Sequence, residues 1–184
     1  MNFRYIAYKA RYIFTAVFII LVIFWYLFSP YAPNWIQKLK LEIIQPKDLY
    51  SNIYYKEIEK NIKTHRLEFI NKYVGTYAIN IITDYVDPII YGAINHKEIA
   101  LDVRIKLKFW MGEQYLREII VDNVKYPFFG GKKQSGVAIF VYKTPEDLPV
   151  SKKLICEMNI EELDERIFCA DCNPAITIRK LSDH

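Results

Sequence analysis

The chain has 184 residues, 52% of them hydrophobic, with 25 Lys plus Arg against 21 Asp plus Glu and a formal net charge of +4. Arg4, Lys9 and Arg11 supply three of the positive charges before any acid appears, so the rest of the chain carries 22 basic against 21 acidic groups. That balance is too even for a nucleic-acid-binding domain, and the length leaves room for one membrane span and one domain of ordinary size.

Tyr12 to Phe28 is an uncharged run of apolar and aromatic residues. A hydrocarbon core roughly 30 Å thick needs about 17 to 25 apolar residues in a helix that satisfies its own backbone hydrogen bonds, so the run is expected to span the lipid bilayer. The basic residues before it place the N-terminus in the cytoplasm. Tyr5, Tyr8 and Tyr12 at one end, and Trp25, Tyr26, Tyr31 and Trp35 at the other, suit the two headgroup layers. After Phe28 the chain reads Ser-Pro-Tyr-Ala-Pro-Asn-Trp, with no small-x-small cleavage site and no lipid-modifiable cysteine. The expectation is an uncleaved signal anchor with a cytoplasmic N-terminus (1–11), a span (12–28), an exit linker (29–35) and an exported domain (36–184). Abundant Ile, Lys, Asn and Tyr suggest an AT-rich bacterial genome, and no asparagine has Ser or Thr two residues on, as a secreted eukaryotic domain often would. The domain is then expected in the periplasm, held by the inner membrane.

Trp35 to Gln45 reads as a first strand or a helical extension, ended by Pro46. Lys47 to Lys63 reads as a short helix on the spacing of Leu49, Ile53, Ile58 and Ile62. Beyond it, short alternating runs recur between turn residues, the pattern of an antiparallel sandwich or barrel. About seven strands are expected: His65 to Ile70, Gly75 to Thr83, Ile99 to Trp110, Gln114 to Val121, Gly136 to Lys143, Lys152 to Glu161 and Ala175 to Leu181. In the third, Leu101, Val103, Ile105, Leu107 and Phe109 alternate with Asp102, Arg104, Lys106 and Lys108, which sets one face for a core and the other for solvent. In the fifth, Val137 to Tyr142 is apolar on both parities, as in a strand that is central or covered on both faces. The pattern points to a mainly β fold, an immunoglobulin-like antiparallel β-sandwich behind a single N-terminal transmembrane helix. The buried Trp and spaced cysteines of true immunoglobulin domains are lacking.

Cys169 and Cys172 have the spacing of redox and zinc motifs, but a zinc site needs about four ligands and only Cys156 and the remote His65, His96 and His184 could add to them. A redox pair sits at a helix N-terminus, whereas Asn173-Pro174 and a strand follow here. The expected state is a disulfide between Cys169 and Cys172, with Cys156 reduced in the core beside Leu154, Met158 and Ile160; a bridge from Cys156 to either of the other two is the alternative. The glycine- and lysine-rich stretch Phe128 to Gly136 lacks the Gly-Lys-Ser/Thr of a phosphate loop and reads as a hairpin, with Tyr126, Phe128, Phe129, Lys132 and Lys133 as candidate partner contacts. Arg104, Lys106 and Lys108, extended by Arg117, form a basic stripe that could meet an acidic partner or lipid headgroups, or merely protect a solvated strand. No Gly-x-Ser-x-Gly and no local His grouping with Ser or Cys is present, and Asp84, Asp87, Glu98 and Asp102 read as turn and strand-face charges. The chain is expected to be no enzyme and to need no cofactor or metal. It is expected to bind a protein partner as an accessory or assembly subunit of an envelope complex. An immunity protein against a periplasmic toxin is the alternative, and a lipid- or glycan-binding sandwich the second.

Overall fold

The computed structural model describes residues 3–29, 32–84, 101–124, 127–130, 134–168 and 172–182, with side chains for these except 3–11, 27, 28, 101, 123, 124, 127–130, 134, 135 and 166. The chain divides into two compact units, Met1–Pro46 and Lys47–His184.

The first unit holds α1, Phe3–Phe28, and α2, Asn34–Ile43. Every described side chain of α1, from Tyr12 to Tyr26, is exposed. Among the described residues no helix is long and apolar enough to cross a membrane. The span expected over Tyr12 to Phe28 is thus not found among the described residues. Trp35 to Gln45, open between strand and helix in the sequence, is helical as far as Ile43 and belongs with α1 and not with the sandwich.

The second unit is mainly β, with nine strands among the described residues: β1 Asn52–Glu57, β2 Thr64–Ile70, β3 Gly75–Thr83, β4 Leu101–Met111, β5 Gln114–Val124, β6 Pro127–Gly130, β7 Gln134–Thr144, β8 Lys153–Leu163 and β9 Ala175–Lys180. They form two antiparallel sheets, one in the order β1-β9-β3-β7-β6 and the other β2-β8-β4-β5, which pack as a β-sandwich. The strand order does not show an immunoglobulin domain: there the first two strands are neighbours, whereas β1 pairs with the last strand and β2 lies in the opposite sheet. The helix expected over Lys47 to Lys63 is replaced by β1. The helical spacing there rests on four residues, while Ile53, Tyr54 and Tyr55 have the side chains that suit a pleated, half-buried surface.

The core is built by alternation. Leu67 and Phe69 of β2, Val103, Ile105, Leu107 and Phe109 of β4, and Leu154, Cys156, Met158 and Ile160 of β8 face Tyr77, Ile79 and Ile81 of β3 and Ile176 and Ile178 of β9 across the interior. Fully burying each such side chain contributes roughly 1.5 to 3 kcal/mol. β7 departs from simple alternation for a local reason. Ile79 pairs with Phe140 but Asn80 pairs with Ala138, so Ile139 is an extra residue, a β-bulge. The bulge shifts the phase by one: Val137, opposite Ile81, is buried before it and Tyr142, opposite Tyr77, after it, while Val141 is 45% exposed; Ala138 and Ile139 are each 6% exposed. β7 lies between β3 and β6 as a central strand, and Val137 and Ala138 are buried on opposite faces before the bulge, whereas cover on both sides does not extend to Val141.

A column of rings runs within the five-stranded sheet and reaches the other sheet at one contact. Tyr77 and Tyr142 stack at 5.7 Å, Tyr142 and Phe140 at 5.6 Å, and Phe109 of the opposite sheet reaches Phe140 at 5.8 Å. At the foot of this column the chain crosses between sheets twice. The Tyr77 hydroxyl donates to the Tyr73 carbonyl at 3.1 Å and accepts from the Tyr73 amide at 3.0 Å, the geometry of a tyrosine corner. Asn71 accepts from the Tyr142 hydroxyl at 2.9 Å and donates to the Pro149 carbonyl at 3.1 Å, so one buried amide joins the β2–β3 and β7–β8 crossovers. Burial pushes the Tyr77 hydroxyl up to about 12 and the Tyr142 hydroxyl well above its ordinary value, which keeps both as donors.

Gly136 is needed for close approach. A Cβ there would stand 2.5 Å from the Ile81 carbonyl oxygen and 2.9 Å from Ile82 Cγ2, and backbone cannot move aside cheaply. Gly136→Ala is expected to destabilise the domain by about 1 to 3 kcal/mol, the range for forcing atoms into packed space, read as a shift in urea midpoint at unchanged slope. His65 supplies a pH dependence. It is 1% exposed, its Nε2 faces the Ile62 carbonyl at 3.0 Å, and its Nδ1 has no partner among the described residues. Desolvation outweighs that hydrogen bond and lowers its pKa from 6.5. The unfolded chain therefore takes up the proton first, and this contribution to stability is full above about pH 6.5 and declines as pH falls toward the folded pKa. Urea titrations at stepped pH should show that slope in the native chain and lose it in His65→Gln; an unchanged slope would remove His65 as its source.

Candidate functional site

The outward face of the four-stranded sheet carries the densest set of side chains with recognition chemistry. Register decides what they meet. Arg104 pairs across β4 and β5 with Asp122, and Lys108 with Glu118; the side chains follow, with Arg104 Nε 2.9 Å from Asp122, and Lys106 and Lys108 Nζ 4.0 and 3.7 Å from the two oxygens of Glu118. Asp122, by hydrogen bond and charge, raises the Arg104 pKa. Beyond β8, Arg66 and Lys153 share Glu68 at 3.2 and 2.6 Å. The basic stripe of the sequence is thus half of a mixed-charge ladder. Each pair is solvated and adds little stability, and with the exposed Asp102 and Glu157 of β4 and β8 the acids equal the five cations, which leaves little net positive field for an acidic partner or a lipid headgroup. Arg117 is not part of the stripe. In the register that pairs Lys108 with Glu118, Arg117 stands opposite Phe109, on the other parity from the stripe, and its guanidinium lies 5.8 Å from the Phe140 ring centroid and 3.2 Å from Asp147.

Where the ladder ends, the face becomes aromatic. Trp110 lies in register with Tyr115 on one side and Ile155 on the other, and its ring meets that of Tyr115 edge-on at 5.9 Å and 71°. Trp110 is half-buried and Tyr115 is 52% exposed. Trp110, Ile155, Thr64, Arg66, Glu157 and Gly112 enclose a shallow depression with a cavity volume of about 530 Å³. An apolar floor with a guanidinium, a carboxylate and a hydroxyl at its edge can bury an apolar side chain and fix its polar neighbours. These residues were missed in the sequence, although Trp110 has the same parity as Arg104, Lys106 and Lys108, which makes it an aromatic on a solvent face.

The remaining candidates sit elsewhere. Phe128 and Phe129 belong to β6, paired with Gly136 and Ser135 of β7, so their backbone is strand and not loop tip; their side chains, with Tyr126, Lys132 and Lys133, lie outside the described residues. Cys172 is disulfide-bonded and Cys156 is a free, buried thiol, raised in pKa chiefly by desolvation; Cys169 lies outside the described residues, as do Asp87, Glu98, His96 and His184. Among the described residues no three His, Cys, Asp or Glu gather as a metal site. A smaller cavity of about 120 Å³ between Ile58, Ile62, Leu163 and Phe168 is rimmed by Lys60 and Glu165, which pair at 3.7 Å. Asn80 and Thr177, register partners buried in β3 and β9, each keep a side-chain oxygen without a partner among the described residues.

No protein family, curated protein or solved structure matches the chain.

Burial and the disulfide at Cys172 lead to a thiol count. A thiol reagent should find no reactive group in the native chain and one per chain, Cys156, after unfolding without reductant; three would mean that no disulfide forms.

Proposed function

We propose that the chain is a membrane-tethered, extracytoplasmic β-sandwich that binds a protein partner, as an accessory or assembly subunit of an envelope complex. The observation that carries this reading is the Trp110–Tyr115–Ile155 platform. Aromatics and arginine are the residue types most enriched where interfaces concentrate their binding energy, and here they stand on a rigid sheet whose neighbouring charges are already paired. A flat, charge-neutral, aromatic face favours a partner that buries an apolar anchor over one recruited by long-range attraction.

The tether is supported by α1, whose fifteen described side chains are exposed apolar and aromatic residues with one threonine among them, and by the basic residues ahead of it. Side chains from both sheets fill the sandwich interior, which leaves a lipid ligand without support between the sheets.

A photo-crosslinking residue placed at Tyr115 of the full-length chain in its native cells should give a discrete protein adduct, whereas one at Val141 of the other sheet should not. Envelope proteins in that adduct would favour an assembly role, and a single secreted toxin would make the chain an immunity protein. Truncation of a central aromatic contact costs about 2 kcal/mol or more, so Tyr115→Ala should weaken partner binding roughly 30-fold while leaving the unfolding midpoint close to that of the native chain. Equal adducts from both positions, or none from Tyr115, would remove this face as the contact surface.

A further inference from the structure

α2 leaves an apolar stripe uncovered. Trp35, Leu39 and Ile43 are 66%, 43% and 74% exposed, and Ile44 just past the helix is 51% exposed. Positions i, i+4 and i+8 fall on one side of a helix, so these side chains form a continuous ridge, flanked by the exposed Lys38 and Glu42. The remaining apolar side chains of α2 are treated differently: Ile36 is buried and Leu41 half-buried.

The place of α2 in the chain says what covers the ridge. α1 ends at Phe28 and α2 begins at Asn34. Five residues reach about 17 Å when fully extended, and the described ends of this connection are tied together: the Ala32 amide donates to the Ser29 carbonyl at 3.2 Å, and the Gln37 side chain donates to the Ala32 carbonyl at 2.7 Å. The headgroup region of each leaflet is about 5 to 8 Å deep. If Phe28 stands at the edge of the hydrocarbon, the start of α2 cannot lie far beyond the headgroups. α1 and α2 also belong to one compact unit, so the exposed side chains of Tyr12 to Tyr26 and the ridge of α2 are carried by the same unit.

We propose that α2 is an interfacial helix that lies along the membrane holding α1, with Trp35, Leu39 and Ile43 turned into the boundary between headgroups and acyl chains and Lys38 extended to the lipid phosphates. This inference rests on the reading of α1 as a membrane span. The occupant of the ridge is a lipid surface: a tryptophan beside aliphatic side chains, with a lysine at the margin, is the chemistry of a helix that lies in the interface plane.

Tryptophan depth tests it, because the chain holds three tryptophans, Trp25, Trp35 and Trp110. Full-length chain with Trp25→Phe and Trp110→Phe, in phosphatidylcholine vesicles brominated near the headgroup end of the acyl chain, should lose at least about half of its Trp35 emission, and much less to bromines near the chain terminus. A companion chain with Trp35→Phe and Trp110→Phe reports on Trp25 and so on α1. Quenching of Trp25 with Trp35 unquenched would overturn the inference and leave the span standing, and quenching of neither would overturn both. Deep quenching of Trp35 would also overturn it, by continuing the span through α2. Leu39→Glu with Ile43→Glu should return Trp35 emission to that of a wet indole; unchanged quenching would show that the ridge does not hold the helix. The otherwise unmutated chain labelled with 5-fluorotryptophan gives the same depths by fluorine resonance broadening, free of any effect of the Phe substitutions on folding.

Discussion

Phe109 reaches across from the four-stranded sheet to Phe140, and through Tyr142 and Tyr77 the contact runs down to the two crossovers. Much of the domain follows from that column. It sets how closely the sheets approach, and the hydroxyls at its foot find their partners in Tyr73 and Asn71, where a buried polar group without one would be costly. It also fixes the opposite surface. Successive residues of a strand point to opposite faces, so anchoring Phe109 in the core forces Trp110 outward beside Tyr115 and Ile155. The interior packing and the recognition platform are adjacent residues of one strand and cannot be adjusted independently.

The ladder beside the platform gives the surface its character. Lys106 and Lys108 converge on Glu118, and Arg104 meets Asp122. Charges paired across strands hold no long-range field in physiological salt, where screening acts within about 8 Å. Selectivity at such a face comes from contact and shape.

Legibility in the sequence followed the range of the interactions. Strands β2, β3, β4, β8 and β9 were readable to within one or two residues, because alternation is local and Leu67, Ile105 or Met158 announce their side of the strand unaided. β1 was not, since Tyr54 and Tyr55 gain a pleated neighbour only from β9, more than a hundred residues on. β6 is four residues long, too short to show a period. The site was half legible for the same reason: Arg104, Lys106 and Lys108 are visible on one strand, but that Glu118 and Asp122 stand opposite them depends on the register of β4 against β5. Trp110 was visible by parity alone. In β7 the sequence carries the clue to its own irregularity, for an apolar residue at every position from Val137 to Tyr142 cannot all be core on a strand that keeps one phase.

The extra residue at Ile139 has an evolutionary side. Substitutions at Val137 or Val141 change how a site is filled and can be absorbed by neighbours. Loss or gain of a single residue between Ala138 and Tyr142 would rotate everything beyond it to the wrong face, so that the tyrosine at the foot of the column pointed away from Asn71. Descendants of this chain should therefore vary in the identity of these residues far more freely than in their number, and a length polymorphism tolerated in the loops would be excluded from the middle of this strand.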